Sequence, residues 1–260
     1  MPNLIPLNNN IDKLIAFTPS LDKNYRRRQR IKSKPYQIET LDVIENLQGQ
    51  GWKIKGSYQN RNKKSKQISK HTIKMEHPDF PLTTTNGIPE AVANLSITNS
   101  CNGSSPLDLN LGAYRMVCSN GLIARDTMQS KKIKHNSNDY YQLNEILANL
   151  NIKAQDVLKE FGSLKGKILN EDQTKEFARK ASKIRFGSNS KRINSLQLLN
   201  AVREEDNNNN LWSVYNRVQE NLTQSNRIKN QDNKPISGIF SVDEDLKVNR
   251  ELSNLVYSYA

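Results

Sequence analysis

Two runs of alternating apolar and polar residues, at 90–100 and 107–115, flank the turn sequence N-G-S-S-P at 102–106. Ala91, Ala93, Leu95 and Ile97 point one way on the first run. Leu107, Leu109 and Leu111 do so on the second, with Asp108 and Asn110 opposed. Period-two alternation about a glycine turn predicts a β-hairpin. Gly112 interrupts the alternation and predicts a bulge; Asn120-Gly121 predicts a turn, with Asn120 taking the positive φ. Upstream, W-K-I-K-G-S-Y at 52–58 sets Trp52, Ile54, Gly56 and Tyr58 on one face and Lys53 and Lys55 on the other. H-T-I-K-M-E at 71–76 alternates likewise, and the two strands form a second hairpin. Pro78, Pro81, Gly87 and Pro89 mark 77–90 as a loop.

Helical periodicity appears at 38–48, through Ile38, Leu41, Ile44 and Leu47, and dominates after residue 140. Segments 142–150, 154–168, 172–185, 195–204, 211–222 and 244–257 carry apolar residues at i, i+3, i+4 spacing. Strands first and helices after predict an α+β fold: an antiparallel sheet of hairpins in the N-terminal half, with a helical C-terminal half packed on it. The expected organisation is a basic irregular arm over 1–35 and a main α+β domain over 36–225. That domain is strand-rich over 50–123 and helical over 140–225. A flexible segment with a terminal helix follows over 226–260.

The chain has 260 residues and a net charge of +13. Residues 1–77 hold 16 Lys and Arg against 6 Asp and Glu, so most of the excess lies in the first third. Such a gathering favours a polyanionic partner, the other reading being a set of solvated faces. The candidate phosphate contacts are Arg26, Arg27, Arg28 and Arg30 of the arm, Lys53, Lys55 and Lys74 of the strands, and Arg61, Lys63, Lys64 and Lys66 between them. Trp52 and Tyr58 are either stacking platforms among these lysines or core residues, and their shared face favours the core.

Convergent reactive groups are missing. His71 alternates with Ile73 and Met75 and reads as a strand residue; no zinc-spaced cluster, Walker loop or dinucleotide fingerprint occurs. A non-enzyme without metal or cofactor is expected. Cys101 beside the turn and Cys118 far down the other strand are poorly placed to pair, which predicts a reducing compartment. No signal peptide and no run near the ~20 apolar residues of a membrane span is seen. A cytoplasmic protein of a bacterial host is expected, or a virion-associated one.

The most distinctive string is Y-R-M-V-C-S-N-G-L at 114–122. Arg115 either binds a phosphate or, the favoured reading, pairs with a carboxylate or with turn carbonyls. G-A-Y-R-M-V-C-S-N-G-L-I, preceded by L-S-I-T-N-S-C-N-G-S-S-P, resembles the phage/plasmid-like family called domain of unknown function 932. V-I-E-N-L-Q-G-Q-G-W, Q-N-R-N, S-K-H-T-I-K-M and L-W-S-V-Y-N-R-V-Q-E-N-L-T are similar to other segments of that family, so the resemblance spans about residues 20–225. Arg115, Cys118, Asn120 and Gly121 form its structural signature. Asn102 stands where the family often has Asp, and Lys74 where it often has Arg. The resemblance implies a mobile-element origin and supplies no activity. Charge and source together predict a non-catalytic, nucleic-acid-binding phage or plasmid protein, oligomeric and acting on DNA in replication or recombination. The alternative is a protein-interaction role, as an anti-defence factor or a virion component.

Overall fold

The computed structural model describes residues 5–7, 9–28, 30–32, 34–61, 68–83, 87, 89–115, 121–123 and 130–260; of residues 5, 6, 60, 61, 68, 69, 114, 115, 121–123, 130 and 242 it describes the backbone alone. The chain forms two compact units that divide between Leu158 and Lys159. The fold is mixed α+β, as its periodicities predict.

The first unit is built on a seven-stranded antiparallel sheet. Its strands are β1 (Ile5–Pro6), β2 (Lys53–Arg61), β3 (Ile68–Thr83), β4 (Pro89–Ser100), β5 (Leu107–Arg115), β6 (Gly121–Ile123) and β7 (Ser130–Ile133). They follow the order β1-β2-β3-β4-β5-β6, and β7 also pairs with β5. The predicted central hairpin is β4–β5, in register from Ala91↔Arg115 to Thr98↔Asp108. One face carries rows of apolar partners, Ile73–Ile97–Leu109 and Met75–Leu95–Leu111. All six of these side chains are buried. The opposite face is polar, and Asn94, Ser96, Thr98, Asp108 and Asn110 are buried there too.

Three local expectations fail for identifiable reasons. Gly112 is no bulge: it pairs with Asn94 in unbroken register, because the Leu111–Ala113 alternation resumes on the same faces. The bulge lies instead in β2, where the register shifts between Ile54 and Gly56. One extra residue there inverts the period. Trp52 and Ile54 face the core, but after Lys55 it is Ser57 and Gln59 that share the core face and Tyr58 that leaves it. The predicted loop 77–90 is largely strand, since β3 continues to Thr83 past a register shift between His77 and Pro81. Prolines are tolerated where the ladder is interrupted.

The segment expected as an irregular arm is ordered against the core face. It forms α1 (Ile11–Phe17), a 3₁₀ turn (Pro19–Leu21) and α2 (Lys23–Arg28), with Leu14 and Leu21 buried. Thr18 Oγ1 donates to Ser57 Oγ at 2.7 Å, and Ser20 Oγ donates to Gln59 Oε1 at 3.0 Å. The next helix, α3 (Thr40–Gly49), buries Val43, Ile44 and Leu47. Its Thr40 Oγ1 lies 2.8 Å from His71 Nε2, while Ser20 Oγ lies 3.0 Å from His71 Nδ1. One buried imidazole thus joins the N-terminal segment, α3 and β3. Then α4 (Ser137–Ala148) and the start of α5 (Leu150–Ser163) complete the unit. Trp52 Nε1 donates to Asn151 Oδ1 at 2.8 Å.

The second unit holds α6 (Glu171–Phe186), α7 (Leu211–Thr223) and α8 (Val242–Tyr257). Every residue of α7 is buried, so its stripe does not mark a single packed face. Several of its polar side chains are answered internally. Glu220 accepts from Arg203 at 2.6 Å and from Arg227 at 3.3 Å, and Gln219 donates to Asn249 at 2.9 Å. Segment 195–204 is not an α-helix but two 3₁₀ turns, Ser195–Leu199 and Glu204–Asp206. Segment 226–243, expected to be flexible, is tied by bridges Ile193↔Asn230 and Lys229↔Pro235 and buries Ile228 and Ile239.

Asparagine starts many of these elements. Asn10, Asn136, Asn170 and Asn210 cap α1, α4, α6 and α7, and Asn194 caps a 3₁₀ turn. A short side-chain oxygen satisfies an amide that the first turn leaves open.

Two measurements test this core. Leu95→Ala, at a fully buried position in the middle of the sheet, lowers unfolding free energy by about 2–5 kcal/mol in denaturant titrations. His71 gives a pH dependence. Burial, aided by the charge of Arg26, pushes its pKa from 6.5 down to about 3. The folded state keeps the ring neutral while the unfolded chain takes up a proton near 6.5, so stability falls as pH drops from about 6.5 towards 3. His71→Gln removes a slope of up to about 1.4 kcal/mol per pH unit from that window; identical slopes in both proteins contradict the assignment.

Candidate nucleic-acid interface

Arg26 does not face solvent. It is 4% exposed, and its two terminal nitrogens reach Glu39 at 2.6 and 3.2 Å and the Cys101 carbonyl at 3.4 Å. The expected phosphate contact is instead a structural anchor, because a carbonyl in the β4–β5 turn needs a donor. Arg27, Arg28 and Arg30 are exposed. Arg28 approaches Asp22 only at 3.9 Å with its side chain 73% exposed, a pairing of little strength.

The strand lysines share the polar sheet face. Lys53 lies opposite Glu76 and is exposed; Lys74, opposite Gly56, is half-buried. Lys55 is held by Glu76 at 3.1 Å. Trp52 is 1% exposed and belongs to the core, so it does not interleave with these lysines. Arg61 and Arg115 lie on β2 and β5 by backbone, and their side chains fall outside the described residues. Lys63, Lys64, Lys66, Cys118 and Asn120 lie outside them altogether. Gly121 opens β6, paired with Tyr114. Cys101 is buried and in no disulfide among the described residues, and burial pushes its thiol pKa up.

A surface that the sequence reading missed lies at the β4–β5 turn. Tyr36, Tyr140 and Tyr141 are 51%, 41% and 73% exposed. The Tyr36 and Tyr140 rings stand 6.5 Å apart, and those of Tyr140 and Tyr141 6.0 Å apart. On the same two chain segments, Arg30, Lys32, Lys34, Lys131, Lys132 and Lys134 are all exposed. Exposed aromatic rings and exposed cations are joined here, whereas on the β2–β3 hairpin Tyr58, on the polar face with Lys53 and Lys74, is half-buried.

His135 assembles this surface. Its Nδ1 accepts from the Ile38 amide at 3.1 Å, and its Nε2 donates to the Ser105 carbonyl at 2.8 Å. Since Nδ1 accepts, the proton sits on Nε2. Burial lowers its pKa, the Lys34 charge adding to this, while Ser105 and Glu39 pull the other way. Gln37 Nε2 donates to the Cys101 carbonyl at 3.0 Å. Gly103, at φ +66°, lets the Lys34 stem cross the turn; a Cβ there would stand 3.2 Å from Lys34 Cδ. Lys134 N donates to Asp139 Oδ2 and Asn136 caps α4, which sets Tyr140 and Tyr141 in the second turn of the helix. No signal in the sequence announced this surface, because Tyr36 and Tyr140 meet across more than a hundred residues.

Among the described residues no group of three or more His, Cys, Asp or Glu is placed to hold a metal ion. No helix among them is long and apolar enough to cross a membrane.

A family model described as "Domain of unknown function (DUF932)" matches residues 31–243. The chain belongs to the DUF932 family. The β4–β5 hairpin and the string at 114–122 lie within the matched residues. The chain is similar to the UPF0380 protein YfjQ of Escherichia coli strain K12, at 24% identity over 93% of this chain and 88% of that protein. It is likewise similar to the UPF0380 protein YafZ of the same strain, at 25% identity with the same coverage. No solved structure matches. Membership of DUF932 identifies relatives and leaves the activity to be argued from the site.

Arg26→Ala tests the reassignment. It strips the half-buried Glu39 of its partner, leaves the Cys101 carbonyl with Gln37 alone, and costs about 3 kcal/mol of stability in denaturant titration. A stable Arg26→Ala protein with weakened oligonucleotide binding would restore the contact role.

Proposed function

We propose that this is a non-catalytic nucleic-acid-binding protein of a phage or plasmid, acting on single-stranded DNA during replication or recombination. The observation that carries the reading is the exposed tyrosine trio flanked by exposed lysines and Arg30. Single-strand binding needs those two parts: cations that follow the phosphates and rings on which unpaired bases stack. The net charge of +13 supplies long-range attraction for a polyanion. Arg27, Arg28 and Lys53 add further exposed positive charge.

The second reading is a protein-interaction role, such as an anti-defence factor or a virion component. The same trio favours it, since tyrosine is enriched where protein surfaces meet. The two readings separate by salt. Fluorescence anisotropy with single- and double-stranded oligonucleotides, run beside light scattering, gives binding of single strands at ~50 mM salt that weakens steeply by ~200 mM. Tyr36→Ala and Tyr140→Ala each weaken single-strand binding by about fivefold to a hundredfold without changing stability. No binding at ~50 mM salt, with self-association or partner capture retained, selects the protein-interaction role.

A further inference from the structure

A cavity of about 110 Å³ opens between α3 and α4, directly beside the tyrosine trio. Ile38, Val43, Leu143 and Leu147 give it an apolar floor and Tyr140 forms one wall. Its rim is polar: Glu39, Asp42, Asn46 and Asn144. The space suits one flat ring, being more than a site for a water or two and less than the pocket of a drug-sized ligand.

The rim groups differ in what they can offer. Glu39 is occupied by Arg26. Asn46 Oδ1 accepts from Gln50 Nε2 at 2.7 Å, which leaves the Asn46 Nδ2 amide as its open donor. Asp42 is exposed and has no ion-pair partner among the described residues, so both its oxygens remain acceptors. A ring that fits this rim presents two adjacent N–H donors to Asp42 and an acceptor to Asn46 or Asn144. Among the bases, guanine does so, through N1–H, the 2-amino group and O6. Cytosine and adenine offer one donor group on that edge, and thymine offers a single imide N–H between two carbonyls.

We propose that this cavity takes a single unpaired guanine of a bound strand, stacked against Tyr140 and read along its pairing edge by Asp42. The proposal rests on the single-strand-binding reading and adds base preference to it. The phosphates beside the bound base stay outside the acidic rim, over Lys34 and Lys134. Extruding one base from an already unpaired strand costs little, so the stacking and edge contacts appear as affinity.

The test uses the full chain and thymine oligonucleotides with one central guanine, hypoxanthine or thymine, read by anisotropy. The guanine strand binds about tenfold tighter than the all-thymine strand, as a bidentate edge contact provides. Hypoxanthine, which lacks the 2-amino group, falls between. Asp42→Asn levels the three strands while leaving the all-thymine affinity unchanged. Asn144→Trp, at an exposed rim position, fills the cavity and levels them as well. Equal affinities for all three strands in the wild-type protein overturn the guanine site and leave single-strand binding standing. Guanine preference that survives both substitutions also overturns it. Absence of binding to every strand overturns the single-strand reading and this proposal with it.

Discussion

The carbonyl groups of the β4–β5 turn hold the first unit together. A turn that sinks into protein must find donors for its open carbonyls, or their burial costs the fold free energy. Here the Cys101 carbonyl takes Arg26 and Gln37, and the Ser105 carbonyl takes His135 and Ser100. Arg26 and Gln37 come from the segment between β1 and β2, and His135 from the segment after β7. Satisfying two peptide groups therefore fixes the path of residues 26–38 and of the β7–α4 connection. The tyrosines are brought together as a by-product of that demand.

The same logic explains which parts of the fold were legible. Alternation around N-G-S-S-P specified β4–β5, because one face of both strands is apolar and the other polar. The helices α4, α6 and α8 were readable because their apolar residues fall on one buried stripe, and α7 kept the same spacing although it is buried on every side. Positions settled by partners distant in sequence were not readable. Nothing local tells that Arg26 meets Glu39, or that Ser57 and Gln59 turn inward because Thr18 and Ser20 wait for them. The β2 bulge turned Tyr58 to the face opposite Trp52, which a strict period of two cannot foresee. Prolines at 78 and 81 suggested a loop, yet β3 absorbs them at a break in the ladder.

Of the basic residues singled out by type, the structure divides the arm. Arg26 faces inward and Arg27, Arg28 and Arg30 outward, since a short helix lying on a core must bury one side. Charge density pointed to residues 1–77, yet three of the six exposed cations beside the tyrosines, Lys131, Lys132 and Lys134, lie beyond them. It did not reveal the aromatic half of the surface, because Tyr140 and Tyr141 stand in a polar segment whose own pattern reads only as an exposed helix face.

The asparagine caps have an electrostatic side. Aspartate would start the same helices equally well and would complement the helix dipole. Five such exchanges, at Asn10, Asn136, Asn170, Asn194 and Asn210, would lower the net charge from +13 to about +8. Capping with a neutral amide secures each helix start and leaves the long-range positive field whole. The net positive field of the molecule is thereby decoupled from the stability of its helices.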